Sequence, residues 1–197
     1  MARSGTHGAP RDMRYHELLG ALAERGCAVC RWAEESVEDA ISAILHEQVN
    51  DASFRRELLA SGGFRHPHAW RLVGQHDILG TAILYRALLS DAGRHRKARV
   101  RCLLCVSYVN GERLALDTFE RTLGVATFAD TLARSDGLCD GHFELALGEV
   151  NDKPRLRQVQ RHVHRMPWWR VHARVHKPSA VAAPDRPGTT PHGRPAV

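Results

Sequence analysis

Cys27-Ala-Val-Cys30-Arg-Trp32-Ala-Glu34-Glu35-Ser-Val37-Glu38-Asp39-Ala-Ile41-Ser-Ala-Ile44-Leu45-His-Glu-Gln-Val49 governs the reading of the chain. Val37, Ile41, Ile44 and Leu45 recur at steps of three and four, the period of one apolar helix face. Glu34, Glu35, Glu38 and Asp39 fall on or near the opposite side, as a solvated carboxylate face and not an acid–base pair. The spacing predicts an amphipathic helix over about residues 31–49, opened by a CxxC pair. Asn50-Asp51 then caps a short helix through Phe54, Leu58 and Leu59, which Gly62-Gly63 stops. Pro67 suits the first turn of a third helix through Ala69, Trp70 and Leu72, and Ile78 to Leu89 marks a fourth. Trp32, Trp70 and Tyr85 read as core or groove aromatics.

The same order returns further on. Cys102-Leu-Leu-Cys105 repeats the CxxC at an offset of 75 residues. Asp51-Ala-Ser-Phe54 aligns with Val125-Ala-Thr-Phe128, and Gly63-Phe64-Arg65-His66-Pro67-His68 with Gly137-Leu138-Cys139-Asp140-Gly141-His142, both at 74. Apolar positions Leu116, Phe119, Leu123, Phe128, Leu132, Leu145 and Leu147 rebuild the helical scheme. Nothing alternates with period two for long enough to make a strand. The expected fold is all-α: two tandem copies of a short helical unit packed together, plus a basic flexible C-terminal tail. The divisions are a flexible N-terminus over 1–14, a first repeat over 15–92, a second over 93–152 and a partly disordered tail over 153–197.

Charge supports the last boundary. The formal charge of +6 over 197 residues divides into 18 Lys+Arg against 21 Asp+Glu up to residue 152, and 10 against 1 beyond it. The body is therefore mildly acidic, and any attraction to nucleic acid belongs to the end, where Trp168 and Trp169 add stacking faces. The chain lacks both the roughly 18 consecutive apolar residues of a membrane span and a secretory leader, which predicts a cytoplasmic protein. Five cysteines in a reducing compartment make a poor disulfide framework, so metal ligation or thiol chemistry comes next.

All five cysteines lie at the repeated landmarks. In the second half, Cys102-x2-Cys105 is followed after 33 residues by Cys139-x2-His142, enough donors for one tetrahedral Cys3His zinc site. The first half carries a damaged version: Cys27, Cys30 and His68 remain, Arg65 stands where Cys139 would be, and His66 is one position away. The sequence therefore predicts zinc at Cys102, Cys105, Cys139 and His142, with a weaker second set in Cys27, Cys30, His66 and His68.

These landmarks, together with Leu45-His-Glu47-Gln-Val49-Asn50-Asp51, His68-Ala-Trp70 and Ile83-Leu84-Tyr85, resemble a bacterial family known only as a domain of unknown function, built of tandem CxxC and CxxH helical halves. The resemblance spans roughly residues 15–150 and implies no activity; its pattern has cysteine at the position of Arg65. The functional expectation is a non-enzymatic zinc protein that acts as an interaction or regulatory module toward an unidentified protein partner. Two alternatives stay open: a CxxC thiol–disulfide redox protein, and a nucleic-acid-binding protein acting through residues 153–197. A closed shell of four protein ligands argues against catalysis, because catalytic zinc keeps one position for water or substrate.

Overall fold

The computed structural model describes residues 13–92 and 101–164. The expectations for residues 1–12, for the polar connector 93–100, for Trp168-Trp169 and for the Pro-rich end lie outside the described residues. The elements are α1 (Met13–Ala23), α2 (Ala28–Ala43), running on through a π-helical turn (Ile44–Gln48), α3 (Ala52–Ala60), α4 (His66–Val73), α5 (Ile78–Ala92), α6 (Leu103–Thr122), α7 (Ala126–Arg134), α8 (Asp140–Glu149) and α9 (Lys153–His164). No strand occurs among the described residues, and no helix among them is long and apolar enough to cross a membrane.

Local chemistry accounts for several boundaries. The Asp51 carboxylate accepts the backbone N–H groups of Ser53 and Phe54 and starts α3. Gly63 (φ 95°) and Gly137 (φ 70°) take left-handed turns just ahead of α4 and α8. In each of those turns a serine hydroxyl donates back into the preceding helix, Ser61 to the Leu58 carbonyl and Ser135 to that of Leu132.

The stripe Val37, Ile41, Ile44 and Leu45 is buried as the period predicts. It packs with Leu58, Leu72, Leu84 and Leu104 in one core. A second core gathers Leu18, Val29, Ala115, Phe119, Phe128, Leu132 and Leu138. Neither core belongs to one half of the chain. The start of α2 packs with the later part of α6, and the start of α6 with the later part of α2, so the two long helices run in opposite directions. They cross closely: a Cβ on Gly111 would lie 2.3 Å from Ser36 Oγ and 2.6 Å from Ser36 Cβ.

Four expectations need correction. The boundary at residue 14 falls inside α1, a helix that buries Tyr15, Leu18, Ala21 and Leu22 and whose Tyr15 hydroxyl hydrogen-bonds Thr127 Oγ1 at 2.8 Å. The sequence predicts a basic helix over about 155–166 within a free tail; a helix does form there, but it is packed on the body: Leu156 is fully buried, and the Gln160 amide donates to the Leu138 carbonyl at 2.5 Å while accepting its N–H at 3.2 Å. Trp70 is 64% exposed and Leu145 48%, so neither is a core residue. Glu34 and Glu38 are half exposed but not merely solvated, because both hold Arg71 of α4.

Two variants test this packing. Leu156→Ala lowers the free energy of unfolding by about 2–5 kcal/mol in denaturant titration, the cost of a cavity in a filled core. Gly111→Ala costs about 1–3 kcal/mol through overpacking of the α2/α6 crossing, and Ser36→Gly in the same chain recovers part of that loss.

Candidate metal centre

Each CxxC occupies one structural slot. Cys27 is the N-cap of α2 and Cys30 lies one turn in; Cys102 and Cys105 stand likewise at the start of α6. An N-cap residue has extended backbone, and the residue three further on comes back to the same side of the helix, the spacing that capping boxes use. Cys27 does not cap α2 through its side chain, so its sulfur is available elsewhere. The partners repeat the geometry. Cys139 is the N-cap of α8 with His142 three residues on, and Arg65 is the N-cap of α4 with His68 three residues on. Positive helix ends therefore face both sets of sulfurs, which favours thiolate.

The pairing crosses the chain. Cys27, Cys30, Cys139 and His142 bring their donor atoms within 4.8 Å of one another, and His68, Cys102 and Cys105 form a separate group by the same measure. The grouping expected from sequence, with Cys102 and Cys105 beside Cys139 and His142, is not the one assembled. The cause is the antiparallel course of α2 and α6, which carries each CxxC to the far end of the other half. His66 joins neither group; its Nε2 accepts the indole N–H of Trp70 at 2.9 Å.

Distances in the first group suit a single ion. Cys30 Sγ lies 3.7 Å from Cys139 Sγ, and His142 Nδ1 lies 3.4, 3.2 and 3.2 Å from the sulfurs of Cys27, Cys30 and Cys139. A tetrahedral centre with zinc-like bond lengths has edges of about 3.8 Å between sulfurs and about 3.6 Å between sulfur and nitrogen. The four residues could hold a metal ion. Two features set them in place independently of an ion. Asp136 accepts the N–H of Gly26 (φ 97°) at 2.6 Å, joining the turn before Cys27 to the loop before Cys139. On the other side of the imidazole, His142 Nε2–H donates to Glu112 Oε1 at 2.8 Å, which fixes the ring and leaves Nδ1 facing the sulfurs.

Glu112 and Asp136 are the site residues that sequence reading missed. Glu112 is the seventh residue after Cys105 on α6, yet it serves the opposite cluster, so no local spacing announces it.

Without a cation the first cluster is electrostatically crowded. Hydrogen bonds from the Cys27 and Cys30 thiols, with His142, hold Cys139 far below the ordinary thiol range. The hydrogen bonds to Cys139 and Cys27, together with burial, push Cys30 far above it. Burial pulls His142 down, but the contacts with Cys139, Cys27 and Glu112 outweigh it and bring it up to about 12. The metal-free cluster is thus a thiolate–imidazolium arrangement, and a divalent ion has to displace protons to enter.

In the second group, His68 Nδ1 lies 3.5 Å from Cys102 Sγ and 3.6 Å from Cys105 Sγ. The Arg65 backbone N–H points to Cys102 Sγ at 3.4 Å, and its guanidinium Nη1 to Cys105 Sγ at 3.7 Å. Burial pushes the Cys102 thiol up, but bonds from His68 and from the Arg65, Cys105 and Leu104 backbones bring it down to about 7. Burial, reinforced by Cys102, pushes Cys105 up against the opposing Arg65. Arg71, held by Glu34 and Glu38 of α2, anchors α4, the helix that carries His68.

Comparison of the chain with protein-family models, curated proteins and solved structures returned no match.

The raised His142 is directly testable. The contacts of the protonated ring with Cys139, Cys27 and, after them, Glu112 stabilise the metal-free fold fully below about 6.5, and that contribution is lost as pH rises through about 12. Glu112→Gln removes the carboxylate, so the imidazole titration of His142, followed by NMR in metal-free protein, moves to lower pH. A ring that titrates unchanged contradicts the assignment of Glu112 as its partner.

Proposed function

We propose that the chain is a zinc protein in which Cys27, Cys30, Cys139 and His142 form a closed Cys3His centre, and that this centre is structural. The convergence of these four donors from the two halves of the chain carries the reading. Three thiolates and an imidazole favour Zn²⁺ among the common divalent metals. Four protein ligands leave no coordination position for substrate water, which supports a non-enzymatic role. The Glu112–His142 contact is the outer-shell support that metal-binding histidines usually have. On this reading the halves are copies of one unit locked together crosswise, the ion joining positions 109 residues apart between Cys30 and Cys139. The exposed faces then serve a protein partner as an interaction or regulatory module.

Metal analysis of full-length protein purified without chelator tests the proposal. The first centre contributes about one zinc equivalent. Cys30→Ser and Cys139→Ser each remove that equivalent, although they lie in different halves, and the double variant loses no more of it than either single one. Chelation lowers the melting temperature, since structural metal binding is coupled to folding. Zinc-free protein, or a Cys139→Ser variant with unchanged zinc content, sinks the reading. Thiol alkylation separates it from dithiol redox chemistry: zinc-bound sulfurs react slowly until the metal is removed.

Second, Glu112→Gln weakens zinc binding by about 10–100-fold in competition with a chromophoric chelator while leaving the donor set intact. The apparent affinity of the wild type rises with pH, because the His142 and Cys30 protons must leave before the ion is held.

A further inference from the structure

The second cluster differs from the first in one corner. His68 meets Cys102 and Cys105 at 3.5 and 3.6 Å, the spacing of three corners of a tetrahedron around a zinc-sized ion. Where the first cluster has the Cys139 sulfur at the N-cap of α8, this one has Arg65 at the N-cap of α4. Arginine cannot ligate, because its guanidinium stays protonated. Here it reaches the cluster all the same, with Nη1 3.7 Å from Cys105 Sγ.

The charges then diverge. A divalent ion with three thiolates and a neutral imidazole leaves a net charge of −1, and all four positions are taken. With two thiolates and one imidazole the ion is neutralised, one position is unfilled, and the adjacent guanidinium leaves the site at +1. Two Cys and one His are also a ligand set that catalytic zinc uses when it keeps an open position. Burial differs along the cluster: Cys102 and Cys105 are buried, His68 is half-buried as a whole residue with its ligand group buried beside them, and Arg65 is exposed, so the side chain next to the unfilled corner reaches solvent.

We propose that His68, Cys102 and Cys105 hold a second zinc ion whose fourth position is exchangeable and takes a small anion, a carboxylate or thiolate, held by the Arg65 guanidinium. The first centre is then a closed cross-link and the second a ligand-binding site. Arg65 selects the ligand by charge and is not itself bound to the metal. This inference extends the zinc reading of the first centre but is carried by its own residues.

Cobalt substitution of the full chain, probed with azide as the small anion, tests it. The wild type takes two cobalt ions, and azide shifts the visible bands of one. Arg65→Cys keeps two cobalt ions but loses the azide response, because a fourth protein ligand closes the shell. Arg65→Gln keeps the response at about tenfold weaker azide affinity, the loss of one charge-assisted contact. Cys105→Ser removes the azide-sensitive cobalt only; if that variant fails to fold, His68→Gln gives the same readout. Two cobalt ions with bands unmoved by azide overturn the proposal, as does a single cobalt that both Cys105→Ser and His68→Gln retain. Failure of the first centre registers separately, as a Cys139→Ser variant that loses no cobalt while the azide response persists.

Discussion

The close antiparallel crossing of α2 and α6 is the constraint on which the site depends. It is close because Gly111 presents no side chain to Ser36, where an added Cβ would overlap the serine hydroxyl. A wider crossing would move both CxxC pairs away from the short helices that complete their clusters. With the helices antiparallel, the start of α2 lies beside the second half of α6 and within reach of α8. The start of α6 lies beside the later turns of α2 and within reach of α4. Among the described residues neither half contains a complete cluster of its own, so each cluster requires the two halves to pack together.

Helix starts concentrate the chemistry. Four N-caps carry Cys27, Arg65, Cys102 and Cys139, and the four residues three positions on are Cys30, His68, Cys105 and His142. Each start contributes unpaired backbone N–H groups and the positive end of a dipole to a place where sulfur must carry negative charge. In the first cluster three sulfurs share too few compensating charges, so one is forced to thiolate and another is held protonated. In the second, a guanidinium already supplies positive charge where the first has sulfur. One residue difference, Arg65 against Cys139, thus separates two otherwise similar frameworks.

Much of the fold was legible from periodicity. Val37, Ile41, Ile44 and Leu45 are buried, Asp51 caps α3 through its carboxylate, and Gly63 and Gly137 turn with positive φ where a helix must stop and another begin. The misreadings have specific causes. α1 is short and starts among polar residues, and its burial of Tyr15 and Leu18 depends on α2, α6 and α7, the last more than a hundred positions away. The basic composition from Lys153 is compatible with a helix and says nothing of whether that helix packs. Yet a basic helix needs only one apolar position and one amide to dock, and Leu156 and Gln160 supply them against Leu138. Trp70 looked like core because it is aromatic, but it stands on the outer side of α4 with His66.

The sequence by itself determined the chemistry: five cysteines at repeated landmarks, the histidines three positions after Arg65 and Cys139, and helices that begin where those residues stand. Spacing settles such matters because the residues concerned lie within one helical turn of each other, and local backbone geometry fixes their relative positions. It could not determine which pairs meet. Two CxxC pairs and two xxH ends admit either pairing within each half or pairing across halves, and the choice turns on the direction in which α2 crosses α6. That direction is set by burial of both apolar stripes in two shared cores, a property of the packed chain and of no segment taken alone. Glu112 shows the same limit, since its helix opens with the cysteines of one cluster while its carboxylate supports the histidine of the other.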